Sequence, residues 1–308
     1  LDLTKVWASD EIVALAEFNG SLVIFGKRQT VLYKGADSID TIALVDIINV
    51  GCIARDSVQE TAGDLIFLSD RGVMSLGRLI QEKSQPLRDI SKNVRSDLMG
   101  DVPSDTTGVK SVYSPENAFY LLSLPAVSKV YVFDLRGALE DGAFRATKWT
   151  AIALTAFERL SDGTLYMGKD KLGIVQYGGF QDAGNTYRMN YVSNEQDFGS
   201  PANEKFLKKM RITVIGGALS TAVLKWGYDY EESYAQETFT FGSSTIAQFG
   251  IAEYNTTAEY SAGITINRPS VNASGSGTTL SFGVETIINN SNFSIQKIDI
   301  LALIGRLL

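Results

Sequence analysis

Histidine is absent from all 308 residues of the sequence. Its absence excludes Ser-His-Asp and Cys-His nucleophile systems, histidine general bases and histidine metal sites. Cysteine is almost as scarce, because Cys52 is the single thiol. One thiol makes neither an internal disulfide nor a Cys-x-x-Cys site, and we expect Cys52 to be a small buried apolar residue. The composition predicts no catalytic residue, no cofactor and no metal site, and it favours a protein that is not an enzyme.

Positive charge and long apolar runs are also scarce. The chain has 28 basic and 35 acidic residues, for a net charge of −7. Proteins that read DNA sequence are usually basic, because neutralising phosphates drives their affinity. The acidic composition therefore disfavours sequence-specific nucleic-acid binding. No apolar run reaches the roughly 18 residues that a membrane helix needs. The last run, 298–308, is interrupted by Asp299 and Arg306. We predict a terminal strand there and no stable membrane insertion.

A phrase of apolar strands joined by tight polar turns recurs four times in the first 180 residues. The turns begin at Asn19, Gly63, Glu116 and Asp162, which are 44, 53 and 46 residues apart. Propeller blades repeat about every 40 to 50 residues, and Asn-Gly or Asp-Gly between apolar strands is a strong hairpin signal. We therefore predict β-propeller blades over residues 1–181. An ordinary antiparallel meander is the alternative. Four copies indicate either a small ring or further blades upstream of Leu1.

One amphipathic helix is predicted within the blades, at about residues 84–100. Ser84 can cap its start, with Pro86 in the first turn, and Gly100 can end it. Apolar residues recur between them at helical spacing: Leu87, Ile90, Val94 and Leu98. Its polar face carries candidate subunit contacts, although a plain surface helix between blades is the alternative: Arg88, Lys92 and Arg95.

The composition changes after about Asp182. Residues 231–308 are rich in Ser, Thr, Asn and Gly, and short strand-like runs alternate there with turn signals. This pattern predicts a β-sandwich-like module over residues 182–308, whose last strand could return to the propeller. The predicted fold class is all-β, with β-propeller blades, this module and one inserted amphipathic helix.

A basic run precedes one strand of the second module. Its four basic residues are either the solvated face of a strand or an electrostatic contact to an acidic neighbouring subunit or to phosphate: Lys205, Lys208, Lys209 and Arg211.

Four stretches, taken in order, resemble the tail nozzle family of short-tailed bacteriophages (podoviruses), the tail tubular protein B and packaged-DNA stabilisation type. They are Phe18–Gly35, Ala62–Leu76, Leu160–Tyr177 and Phe198–Val214. The resemblance implies a propeller with appended β domains that assembles as a six-fold ring in the virion. Such a ring lies in the phage tail below the adaptor, retains and ejects DNA, and supports fibre or needle proteins.

The function predicted on this basis is a structural virion protein that forms the tail nozzle. A ring requires head-to-tail contacts between copies. An acidic protein would let DNA pass non-specifically through the lumen without holding it. One alternative is a carbohydrate- or receptor-binding, or glycan-cleaving, propeller of a phage tail, which needs an aromatic-lined pocket with a few polar groups. Another is a cellular propeller scaffold that binds a protein partner.

Overall fold

A computed structural model describes residues 3, 6–7, 10–38, 40–61, 63–82, 89–170, 173–182, 184–216, 220–231, 233–241 and 266–307. The chain folds into two compact units, Leu1–Tyr177 and Gly178–Leu308. The division falls four residues before the predicted boundary. Each unit consists mainly of antiparallel strands, so the fold is all-β.

The first unit contains four small sheets whose strands follow one another in chain order. Blade 1 consists of β1–β4 (Ile12–Phe18, Ser21–Gly26, Thr30–Lys34, Ala43–Ile48). Blade 2 consists of β5–β7 (Gln59–Thr61, Asp64–Ser69, Gly72–Ser75). Blade 3 consists of β8–β11 (Lys110–Ser114, Phe119–Leu124, Lys129–Ala138, Phe144–Thr150). Blade 4 consists of β12–β14 (Leu154–Arg159, Leu165–Lys169, Gly173–Gln176). These sheets are the propeller blades that the repeat predicts.

Consecutive blades pack face to face, and β6 illustrates how. Leu65 and Phe67 belong to the core shared with blade 1, where the rings of Phe67 and Phe25 lie 4.8 Å apart. Ile66 and Leu68 point the other way, into the core shared with blade 3. Alternate side chains of a strand lie on opposite faces of its sheet. A strand with both faces buried is therefore apolar at consecutive positions, which explains the run Leu-Ile-Phe-Leu.

The two ends of this stack differ. The outer face of blade 1 is covered by Trp7, which is 6% exposed, together with Leu3 and Val6. On the outer face of blade 4, Ile174 is 77% exposed. Among the described residues no core cluster joins blade 1 to blade 4. The stack is thus sealed at its first blade and open at its fourth.

The helical region differs from the predicted single helix over residues 84–100. The structure has α1 (Leu76–Glu82), a 3₁₀ turn at Lys92–Val94 and α2 (Arg95–Asp101). The predicted start at residues 84–88 lies outside the described residues. Ile90 and Ser91 cannot be helical, because the Ile90 amide donates to the carbonyl of Val73 (3.0 Å) and the Val73 amide donates to the Ser91 hydroxyl (2.9 Å). Because residues 90 and 91 bind β7, the helical residues begin only at the 3₁₀ turn that leads into α2.

The second unit is a sandwich of two sheets. One sheet has the order β15-β22-β17-β18 (Tyr187–Val192, Leu280–Ile288, Thr221–Tyr228, Ala235–Thr240). The other is built on β16 (Asn203–Gly216), which pairs with β23 (Phe293–Leu307) and with three short strands, β19–β21 (Ile266–Asn267, Ser270–Val271, Ser276–Gly277). The last strand, β23, pairs with β16 within this unit.

We expect Phe67→Ala to destabilise the first unit, because the fully buried ring fills the core between blades 1 and 2. The expected loss in free energy of unfolding is about 3–5 kcal/mol, measured by urea denaturation. The control is Ile174→Ala on the open face of blade 4, which should change stability by less than about 0.5 kcal/mol. Equal losses for both variants would contradict the face-to-face packing.

Candidate functional site

Lys205, one of the predicted subunit contacts, is buried. Its side chain lies on the inward side of β16 and the residue is 1% exposed. The ammonium donates to the carbonyl oxygens of Ser200 (2.5 Å), Asn203 (2.9 Å) and Thr278. The prediction of a surface contact is wrong for this residue, because three backbone acceptors enclose its charge.

A carboxylate lies close to this lysine cage. Asp229 accepts hydrogen bonds at Oδ1 from the Thr278 hydroxyl (2.6 Å) and from the amides of Thr278 (2.8 Å) and Thr279 (2.9 Å). These bonds, with the positive charge of Lys205, hold the pKa of Asp229 below its usual value. The cage therefore ties the start of β16 to the turn before β22.

The other basic residues of this run remain on the surface. The pairing of β16 with β23 shifts register between Leu207 and Lys209, so Lys208 occupies a β-bulge. Lys208 and Arg211 are exposed and Lys209 is half-buried. Their strand partners on β23 include Leu301, opposite Lys209, and Asp299, opposite Arg211. The structure thus keeps three of the four predicted contacts together beside β23.

The predicted contacts of the helical region line a cavity. Lys92 and Arg95 border an open cavity of about 730 Å³ with Arg71 and four further residues: Asp70, Met74, Ser96 and Met99. Each cation has a carboxylate within 4.0 Å, since Arg71 lies near Asp70, Lys92 near Asp141 and Arg95 beside the buried Asp89. This balance of charge favours a polar protein contact over a phosphate site. Arg88 lies outside the described residues.

A second groove lies along the first strands of the blades. The 3₁₀ turn Arg55–Ser57, just before β5, contacts β1, while β5 contacts β8 and β8 contacts β12. The groove has a volume of about 540 Å³ and is lined mainly by β1 and by the start of blade 2. Its lining includes two exposed carboxylates, one cation and two exposed apolar side chains: Glu17, Glu60, Arg55, Ile12 and Leu15.

An ion cluster borders this groove. Arg55 Nε donates to Asp56 Oδ1 (2.8 Å), and the Lys110 ammonium binds the other carboxylate oxygen. The Arg55 hydrogen bond, with help from Lys110, holds the pKa of Asp56 below its usual value. Because Lys110 belongs to β8, the cluster connects blade 2 to blade 3. No local motif predicts this groove, because its walls come from different blades.

Three further observations concern the single cysteine, metal ligands and membrane-spanning helices. Cys52 is buried in the core between blades 1 and 2, and burial raises the pKa of its thiol to about 11. Among the described residues, no group of three or more Asp, Glu or Cys side chains is placed to hold a metal ion. No helix in the described part of the chain has the length and apolar character needed to cross a membrane.

We expect Lys205→Met to lower the free energy of unfolding, because it removes the ammonium donor from three partly buried carbonyl oxygens. A buried acceptor left unsatisfied costs about 1–3 kcal/mol, and we expect a loss in this range, measured by chemical denaturation. Lys208→Met removes an exposed lysine three positions away and serves as the control, with little expected change. Similar values for the two variants would be evidence against the cage.

Three comparisons relate the chain to known proteins. No family model and no curated protein matches the chain. Among solved structures, it is similar to a glycoside hydrolase family 43 arabinoxylan arabinofuranohydrolase from Bacillus subtilis, solved in complex with cellotetraose. The match covers 92% of this chain and 66% of that chain, with 10% identity and a TM-score of 0.21. A similarity at this level assigns no activity to the chain.

One prediction is corrected. The expectation that the chain is not an enzyme rested on the absence of histidine, whereas the solved structure to which the chain is similar is a hydrolase, so the expectation is not kept. Its basis was too narrow, because the absence of histidine excludes only chemistry that uses histidine. Glycoside hydrolysis uses a pair of Asp or Glu side chains, and the sequence contains 35 acidic residues.

Proposed function

We propose that the chain is a β-propeller subunit of the tail nozzle of a short-tailed bacteriophage, and that it works in a six-fold ring around the path of the DNA. The ordered resemblance to that family supports the proposal. The four matching stretches contain the hairpin β2–β3, the hairpin β6–β7, the hairpin β13–β14 and most of β16. They therefore cover one hairpin in each of blades 1, 2 and 4 and most of the central strand of the second sandwich sheet.

The observation that carries the proposal is the open face of blade 4. The faces between successive blades are buried, whereas Ile174 on this outer face is 77% exposed. A blade of this kind gains stability when another sheet covers it. In a ring of copies, that sheet would belong to the next subunit in a head-to-tail contact. The tail adaptor, fibre or needle proteins and transiting DNA would be the other partners.

The exposed basic residues suit contacts between such subunits. The chain carries a net charge of −7, so a neighbouring copy is an acidic partner. Basic side chains on the surface of β16 and of the helical region would contact this neighbouring copy: Lys208, Lys209, Arg211, Lys92 and Arg95. Contacts of this kind set orientation and association rate more than affinity.

The test is the assembly state of the full chain. We expect particles of about six subunits by mass photometry and a ring in electron-microscopy class averages, as the head-to-tail arrangement requires. Ile174→Asp should reduce the ring fraction strongly at unchanged melting temperature. Leu160→Asp, an exposed apolar residue at a turn of the same blade, is the control. A protein that stays monomeric at all soluble concentrations would overturn the proposal.

A second candidate function is that of a carbohydrate-binding or carbohydrate-cleaving propeller. The groove of about 540 Å³ along β1 favours it, because Glu17 and Glu60 line the same groove beside Arg55 and the apolar Leu15. Paired carboxylates supply the acid and the base or nucleophile of most glycoside hydrolases. Apolar surface with a few polar groups is typical of ligand sites. The described lining residues of this groove include no aromatic side chain, so the expected aromatic-lined pocket is not found here.

Glycan-array binding and polysaccharide-cleavage assays test this second function. If the groove cleaves glycans, Glu17→Gln and Glu60→Gln should each lower the rate by at least about 100-fold, the scale of a lost general acid or base. Glu158→Gln, at an exposed glutamate on β12, should retain activity. A ring-forming protein with no glycan bound or cleaved would exclude this function and leave the nozzle proposal standing.

A further inference from the structure

The last strand of the second unit has an open edge. β23 is 15 residues long and pairs with β16 along one side. Within the described residues no strand pairs with its other side. An edge strand exposes a row of backbone donors and acceptors, and long apolar edges are prone to pair with another chain.

The open edge is apolar in its second half. Ile298 and Ile300 pack against the sandwich core, whereas Leu301 and Leu303 lie on the outward face and are 59% and 57% exposed. Ile304 is 54% exposed. Some other edge strands carry charge, such as β11 with exposed Arg145 and Lys148. Residues 300–304 contain no charge and no proline, so nothing in this segment opposes pairing.

The sequence of this segment is palindromic. Residues 300–304 read Ile-Leu-Ala-Leu-Ile in both directions. Two identical antiparallel strands related by a two-fold axis at Ala302 place Leu301 of one copy opposite Leu303 of the other. The same register places Ile300 opposite Ile304. Every exposed leucine then meets a leucine on the same face, and the segment is complementary to itself.

We infer that β23 pairs with β23 of a second copy, antiparallel and centred on Ala302, so that one sheet continues across two copies. The four outward leucines form one apolar patch across the junction, and the open backbone groups of both edges form hydrogen bonds. A slip of one residue would place outward leucines opposite inward residues. A slip of two residues would keep the faces but lose one of the two leucine–leucine pairs, so the register centred on Ala302 pairs the most apolar side chains.

This contact goes beyond the proposed nozzle function. It is isologous, with the same patch used by both copies, whereas a ring needs two different surfaces. It therefore links copies that are not neighbours within one ring, or pairs free chains. Its loss and the loss of the ring are separate outcomes, because the first concerns Leu301 and Leu303 and the second concerns Ile174.

The first experiment measures dimer formation of the full chain by sedimentation. The double variant Leu301→Lys/Leu303→Lys places lysine opposite lysine, and we expect dimer affinity to fall at least about tenfold at unchanged melting temperature. The double variant Leu44→Lys/Ile47→Lys alters exposed apolar residues on the edge strand β4 and should leave the affinity unchanged. A wild-type protein without two-fold dimers, or equal effects of both variants, would overturn the inference.

The second experiment tests the register with single cysteine substitutions. Opposite residues on paired strands lie within reach of a disulfide, whereas diagonal neighbours are about 7–8 Å apart. An equimolar mixture of Leu301→Cys and Leu303→Cys should therefore cross-link on oxidation faster than either variant alone. The native Cys52 is buried and does not compete. Equal cross-linking in the mixture and in the separate variants would refute the register centred on Ala302.

Discussion

Burial of a sheet on both faces is the constraint on which the first unit depends. A propeller blade has no solvent face of its own, so each blade requires a neighbour on either side. The structure meets this requirement between blades 1 and 2, 2 and 3, and 3 and 4. At the outer face of blade 1, Trp7 and its neighbours cover the sheet. The outer face of blade 4 remains exposed at Ile174. The proposed assembly would cover this face with a sheet of another copy.

Local sequence predicted the blades because their hairpins are local. Asn19 and Gly20 both have positive φ angles (50° and 69°), as the tight turn between β1 and β2 requires. The helix was harder to place, because its start depends on Ile90 and Ser91 docking onto β7. Hydrophobic spacing was right about the buried positions Ile90 and Leu98. It had no information about the long-range hydrogen bonds to Val73 that precede the helix.

The candidate sites were less predictable, because long-range contacts decide them. Lys205 belongs to a basic run that suggested a surface, yet one of its acceptors, Thr278, lies 73 residues away. The groove along β1 brings Glu17 together with Glu60, and neither stands in a recognisable motif. Reasoning from the missing histidine failed for a different reason, since it treated one class of chemistry as all of catalysis.

The sealed and open ends also give the blade stack a direction. In a linear array, the stability of each repeat depends mainly on its nearest neighbours. Blade 4 has one neighbouring blade within its own unit, whereas blades 2 and 3 have two. We therefore expect local opening to cost least at blade 4 and to propagate from there towards blade 1. The surface that is best placed to meet another sheet is also the part of the first unit most able to adjust to it.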